Sequence, residues 1–476
     1  MAVFPKHPTD FKQSARPSDV QEDLEQKQKF VHMTTASVNG LIARLFVPTV
    51  VTMLITAMYN LVDTFFVGQL GTSAISAVGT IFSVMAAFQT IGFGFGHGSG
   101  NYVSRQLGAR HVEEAQTMAN VGFFSSFLTG LVISAIGLLC LSPLVRILGV
   151  TDTIFPYAKD YLFFILLGAP FFSSSLTLNN LLRLQGNARF AMWGIAIGAI
   201  LNCIMDPIFI FGLDMGIRGA GLSSCLSQIV SFVILLWGNE HSDAVKLRPL
   251  KFRPTRQRYL SILQGGMPSV GRQGMRCVGT IVLNHVLAFF GDEVYAAITI
   301  VIRVGNFLFA LAIGIGQGFQ PVCGFNYGAG MFHRVRQGFR FTLQVAIGAM
   351  IPLCGLLIIF APTVIGWFTQ NEDVRELAVY AMRLQCFTIP LMSMANVSSM
   401  LFQNINLFWR AFFIAIGRDG LFFIPLVLLL PFVWSVEGLL WVQPIADVIT
   451  SLLAMRLLWP VWRQLGCQPT SAPKVG

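Results

Sequence analysis

Two carboxylates stand inside otherwise apolar runs: Asp63 in Tyr59-Asn60-Leu61-Val62-Asp63-Thr64-Phe65-Phe66, and Asp206 in Leu201-Asn202-Cys203-Ile204-Met205-Asp206-Pro207. At the centre of a bilayer such a group costs roughly 2.5 to 3.5 kcal/mol on insertion scales, so something must offset it. Asn202, one helical turn before Asp206, shares its face. Pro207 has no N–H to offer the carbonyl of Cys203, so it favours a kink and leaves a backbone oxygen beside the carboxylate. Ser223 and Ser224 on the following apolar segment add hydroxyls. If they converge, Asp63, Asn202, Asp206 and Ser224 form an oxygen-only donor set of the kind a hard cation takes, with Na+ as the metal if one is bound. A proton on the paired aspartates would serve without any metal. The competing reading is plain interhelical hydrogen bonding.

A second set has the opposite sign. Arg272, Arg276, Arg303 and Arg418 lie in later apolar segments, with Asp419 beside the last and Asp447 further on. Arg418 and Asp447 are expected to pair across helices, and Arg272 and Arg276 to line a cleft as substrate contacts. Tyr161, Asn179 and Asn180, set among phenylalanines, offer polar handles on a broad apolar surface. His97, in Gly94-Phe95-Gly96-His97-Gly98, reads as a hydrogen-bonded histidine. The surrounding glycines suit close helix packing better than a phosphate loop, because no strand precedes them.

The elements that must position these groups are membrane helices. Of 476 residues, 54% are hydrophobic and only 11% charged, against about 25% charged in soluble domains. Apolar runs near the roughly 20 residues that cross a bilayer predict helices near 41–67, 74–104, 115–140, 155–182, 190–212 and 219–238. A second set falls near 260–289, 294–326, 337–360, 374–402, 409–431 and 437–460. The chain thus divides into a tail 1–40, a first lobe 41–238, a loop 239–259, a second lobe 260–460 and a tail 461–476. The net charge of +10 sits in short connections, Arg105, Arg110, Arg183, Arg189, Arg334, Arg336, Arg340 and Arg410 among them. This is the pattern of orientation signals rather than of nucleic-acid binding. It predicts a multi-pass plasma (inner) membrane protein with both termini cytoplasmic. The cysteines show no paired metal-ligand spacing.

An internal repeat organises the whole. Pro48, Gly71, Gly94, Gly96, Gly98, Gly108, Ala109 and Pro170 recur 220 positions later as Pro268, Gly291, Gly314, Gly316, Gly318, Gly328, Ala329 and Pro390. With small shifts Pro207 pairs with Pro425 and Gly219 with Gly438. Six crossings per half give both halves one orientation, so a pseudo-two-fold axis should run along the membrane normal with a cleft between the lobes. In this frame Asp63 faces Leu283 and Asp206 faces Ile424, while Arg272, Arg276, Arg303 and Arg418 correspond to Thr52, Thr56, Ser83 and Ile200. The scaffold is built twice and its charges once.

The run from Pro48 to Val62-Asp63-Thr64, Gly108-Ala109-Arg110, Asn202 to Asp206-Pro207 and Phe325-Asn326-Tyr327-Gly328-Ala329 together resemble the multidrug and toxic compound extrusion (MATE) family over roughly residues 40 to 460. The resemblance implies an all-α fold of twelve transmembrane helices in two six-helix lobes. It implies a monomeric secondary antiporter, without cofactors, that exports cationic or amphipathic compounds in exchange for Na+ or H+. By the same resemblance Asp63, Asn202, Asp206 and Ser224 match the cation-coupling site, Tyr161, Asn179 and the neighbouring Asn180 match drug contacts, and Pro48 matches a bending point, to which proline chemistry alone adds Pro207. The second half lacks the acids that some branches place early in its first two helices. A flippase for a lipid-linked or other amphiphile on a related scaffold is the alternative, and Arg272, Arg276 and Arg303 are the residues that favour it. No metalloprotease motif, nucleophile elbow or Gly-Lys-Ser/Thr nucleotide loop is present, so neither an enzyme nor an ATP-driven pump is expected.

Overall fold

The computed structural model describes residues 17–467 apart from residue 244. A helix α1 (Pro17–Thr35) precedes the first lobe, which contains α2 (Val38–Gly68), α3 (Thr72–Gly108), α4 (Val112–Leu139), the short α5 (Leu141–Ile147), α6 (Phe155–Leu184), α7 (Ala188–Pro207) and α8 (Ile217–Glu240). The second lobe contains α9 (Arg256–Leu287), α10 (Asp292–Gly328), α11 (Phe332–Gly366), α12 (Glu372–Asn404), α13 (Phe408–Ile416) and α14 (Phe423–Cys467). Among the described residues ten helical stretches are long and apolar enough to cross a bilayer, the last being Phe408–Gly466. That stretch is two crossings, because Ser435 (φ 50°, ψ −129°) breaks α14 in its middle. The twelfth is α9, which the arginines it carries make too polar to qualify on composition.

The sequence repeat is also a backbone repeat. Left-handed residues recur in the same frame: Gly71 with Gly291 at the entries of α3 and α10, Arg110 with Gly330, Gly186 with Asn406, and Gly216 with Ser435. Only glycine adopts this region without steric cost, so Arg110, Asn406 and Ser435 mark turns that each lobe needs whatever residue occupies them. Just after Pro207, α7 runs into a π-helical turn at Ile208–Gly212, and α13 runs into one of the same length at Gly417–Leu421.

Three hydrophobic cores explain the shape. One lies wholly in the first lobe around Ile81, Tyr161, Leu162 and Leu166. Another lies almost wholly in the second, around Leu287, Ala312, Met350 and Val442. A third joins both lobes through Leu41, Ile42, Val103, Leu107, Phe319, Phe325 and Phe402. The lobes therefore fuse at the end where α3 and α10 terminate and separate towards the other. Fusion requires backbones to touch: α2 packs on α10 and α3 on α9. A Cβ added at Gly98 would collide with the carbonyl oxygen of Ile262. Gly98→Val is accordingly expected to cost at least about 2 kcal/mol, since neither helix can move without unpacking the shared core. A melting curve of the purified protein checks this, and an unchanged midpoint would show that the crossing is looser than drawn.

Candidate functional site

Four helices of the first lobe deliver oxygen atoms to one buried place. Asp63 on α2 is 8% exposed, while Asp206 and Asn202 on α7, Ser223 and Ser224 on α8 and Tyr161 on α6 are fully buried. Asn202 Nδ2 donates to Ser223 Oγ at 2.9 Å and reaches Asp206 Oδ1 at 3.4 Å. Ser223 Oγ donates back to the Asn202 carbonyl at 3.3 Å. Asp63 feels the charge of Asp206, and both act on Tyr59 and Tyr161. The expected set of Asp63, Asn202, Asp206 and Ser224 is thus brought together.

That cluster is under-satisfied. Asp63 Oδ1, Asp206 Oδ2, Asn202 Oδ1, Ser224 Oγ and Tyr161 OH are buried with no hydrogen-bond partner. Native proteins leave few such atoms, because each forfeits solvation without replacement. An acceptor-rich set of two carboxylates, an amide oxygen and two hydroxyls fits a hard monovalent cation or protons, either of which would supply the missing partner. Tyr59, which the sequence reading passed over, belongs here too. It precedes Asp63 by one turn, so the i, i+4 spacing was the available signal.

Tyr59 also joins the cluster to a cavity of about 120 Å³ lined by Thr56, Phe82, Gln89, Phe172, Ser175 and Gln228, among others. Tyr161 lies with the carboxylates rather than on this wall. Asn179 is buried, its Nδ2 donating to the Ala191 carbonyl at 2.7 Å. Asn180 donates to the Leu176 carbonyl at 2.7 Å and accepts from Arg183 at 2.6 Å. Pro48 is buried within an uninterrupted α2, where Thr52 Oγ1 donates to its carbonyl at 2.8 Å and Thr49 Oγ1 ties the helix to the Gly314 carbonyl of α10 at 2.7 Å.

Charges of the second lobe gather around Phe309. Arg418 Nε donates to Asp447 Oδ1 at 2.7 Å, and Gln443 Nε2 reaches the same oxygen at 3.1 Å. Arg276 Nε stands 3.5 Å from Asp419 Oδ2. The guanidiniums of Arg276 and Arg418 lie 4.2 and 4.9 Å from the Phe309 ring centre. Arg276, Arg418, Asn306, Gln385 and Gln443 line a second cavity of about 170 Å³.

Between the lobes, on their fused side, runs a polar chain in which the sequence reading had given Arg183 a different part. Instead of marking a solvated turn, Arg183 is 2% exposed. Its Nη1 donates to the Gln317 carbonyl at 3.0 Å and to Gln320 Oε1 at 2.8 Å, both across the lobe boundary. Its Nη2 meets His97 Nε2 at 3.1 Å. A guanidinium only donates, so His97 accepts there and holds its ring proton on Nδ1, which donates to the Phe93 carbonyl at 3.2 Å. Gln320 passes the chain to Gln403 at 3.3 Å, and Gln403 to the Gly265 carbonyl at 2.8 Å. Arg105, also read as a turn residue, donates to the Asn404 carbonyl at 2.8 Å.

Comparison with known proteins points in one direction. The family described as MatE matches residues 48–208 and 268–429, one copy in each lobe. The multidrug export protein MepA of Staphylococcus aureus (strain MSSA476) is 24% identical over 87% of this chain and 91% of its own length. MepA of Staphylococcus haemolyticus (strain JCSC1435) is 24% identical over 90% and 95%. Among solved structures, a MOP superfamily transporter from Pyrococcus furiosus superposes with a TM-score of 0.85 at 24% identity, covering 92% of this chain and 99% of that one. A MATE in its straight conformation does so with a TM-score of 0.86 over the same shares.

Proposed function

The chain belongs to the MatE family, and from that premise we propose that it is a multidrug efflux antiporter that exchanges cationic or amphipathic compounds for Na+ or H+ by alternating access. The observation that carries this reading is the buried set of unpartnered oxygens around Asp63 and Asp206, which opens through Tyr59 onto a cavity of drug-binding character. With both termini cytoplasmic, the fused side faces the cytoplasm and the cleft faces outward.

In this cycle a cation entering from outside is held by Asp63, Asn202, Asp206 and Ser224, with Tyr161 completing the shell. It neutralises the charge that had favoured a cationic drug and lowers drug affinity. Differential affinity of the cation for the two lobe arrangements is what drives the exchange. Pro48 and Pro207 are the points at which α2 and α7 deform. Tyr59 and Gln89 serve as drug contacts from the first lobe, Arg272 and Arg276 from the second, and Asn179 and Asn180 shape the wall behind them.

Uptake of ethidium into everted vesicles under an imposed Na+ or H+ gradient tests the assignment. Wild type should accumulate ethidium under one gradient, naming the ion, and Asp63→Asn and Asp206→Asn should each lower the initial rate by about tenfold or more. Normal rates in both variants would move coupling away from this cluster. No transport by wild type under either gradient would defeat the efflux reading itself.

A further inference from the structure

The carboxylate-rich pocket of the first lobe has a counterpart of opposite sign in the second. Among the described residues, Arg272, Arg276 and Arg418 have two carboxylates beside them, Asp419 and Asp447. Asp447 is engaged by Arg418 and Gln443, and Asp419 by Arg276. Arg272 has neither a hydrogen bond nor an ion pair among the described residues. It lies partly buried, with Arg276 repelling and Asp419 attracting its charge on one side, and with Arg183 and His97 feeling that charge on the other. Asn396 lines the same recess as Arg272 and Arg418. It is 8% exposed, and its Nδ2 is a buried donor with no partner.

A guanidinium that makes no ion pair, whose attracting neighbour Asp419 is already shared with Arg276, and an orphaned amide donor in the same recess ask for an acceptor that carries negative charge. Arginine's planar fork matches the two oxygens of a carboxylate or phosphate, and Asn396 adds a further N–H. The adjoining cavity of about 170 Å³ offers Leu283, Ile298 and Phe309 to an apolar body. We infer that this second-lobe recess binds the oxyanion, carboxylate or phosphate, of an amphiphilic substrate, with Arg272 as its principal partner. The inference deepens the efflux reading, on which it rests for transport though not for binding: the range of substrates then includes zwitterions and anions as well as cations.

The test is equilibrium binding to the full-length protein in a neutral maltoside detergent. The probes are norfloxacin, which carries a carboxylate, its ethyl ester, which does not, and ethidium, a fixed cation. A phosphate arm compares dihexanoyl phosphatidic acid with dihexanoylglycerol. Wild type should bind norfloxacin at least tenfold more tightly than the ester. Arg272→Gln should erase that preference and Arg272→Lys should keep part of it, with a monodisperse elution profile and an unchanged helical circular-dichroism signal certifying the fold of both variants. A matching preference for phosphatidic acid, lost in Arg272→Gln, would identify a lipid phosphate as a further source of the oxyanion. Acids that bind no better than their uncharged counterparts would overturn the oxyanion recess while ethidium binding upheld efflux. Binding of phosphatidic acid alone, with neither drug bound, would uphold the recess and overturn drug efflux.

Discussion

Asp447→Leu is expected to destabilise the protein by about 3 to 5 kcal/mol, the cost of leaving a buried charge without its partner. The Asp447 side chain is wholly buried and that of Arg418 is 13% exposed, at 2.7 Å. Without Asp447, the carboxylate left acting on Arg418 among the described residues is Asp419, which is already shared with Arg276. Gln443 loses its acceptor at the same time. The double variant Arg418→Met with Asp447→Leu should recover most of the loss, since an apolar pair of similar volume replaces a buried ion pair at little or no cost. Unfolding free energies of wild type, Asp447→Leu, Arg418→Met and the double variant in one detergent give the coupling energy. A single-variant loss under about 1 kcal/mol would mean that water reaches the pair.

The second large effect concerns the fused side. Arg183→Met removes two donors to the opposite lobe, Gln317 and Gln320, and abandons the acceptors of His97 and Asn180. Hydrogen bonds from a charged donor contribute about 1.5 to 3 kcal/mol each. Even two of them, at about 3 kcal/mol together, would shift the balance between fused and parted lobes by roughly 100-fold. Spin labels on cysteines introduced at the exposed positions His111 and His333, one on each lobe, report it as loss of the short-distance population. Arg183→Lys, which keeps the charge but not the fork, should fall between. An unchanged distance distribution in Arg183→Met would assign the closure to the apolar core alone.

Much of this molecule is readable in its residues because membrane solvent makes rare things conspicuous. Asp63 and Asp206 stood out as charges in apolar runs, and the helices that carry them converge. The frame of 220 proved deeper than the residues that revealed it, since Arg110, Asn406 and Ser435 keep a glycine-like backbone without the glycine. What escaped notice shares one cause: a residue at a helix end reads alike whether it meets water or another helix. Arg183 and Arg105 carry the charge of an orientation signal, and only tertiary packing turns them inward. Tyr59 was hidden because an aromatic in an apolar segment is ordinarily core or lipid-facing. Helix α1 lay in a stretch whose polarity announced a tail. Its partners are distant in sequence and therefore invisible in it.

Those distant partners govern the order in which the molecule can be completed. Lys29 donates to Asn187 and to the Asp243 carbonyl, the Met33 carbonyl accepts from Asn326, and the Ala36 carbonyl accepts from Arg334. Each partner is synthesised at least about 150 residues after the atom it meets in α1 or in Ala36 just beyond it, and Arg334 about 300 residues after. At ribosomal speeds of roughly 5 to 20 residues per second, the segment made first waits tens of seconds for its seat. A protease or antibody directed at α1 would therefore distinguish half-made chains, in which it is loose, from finished ones, in which both lobes hold it.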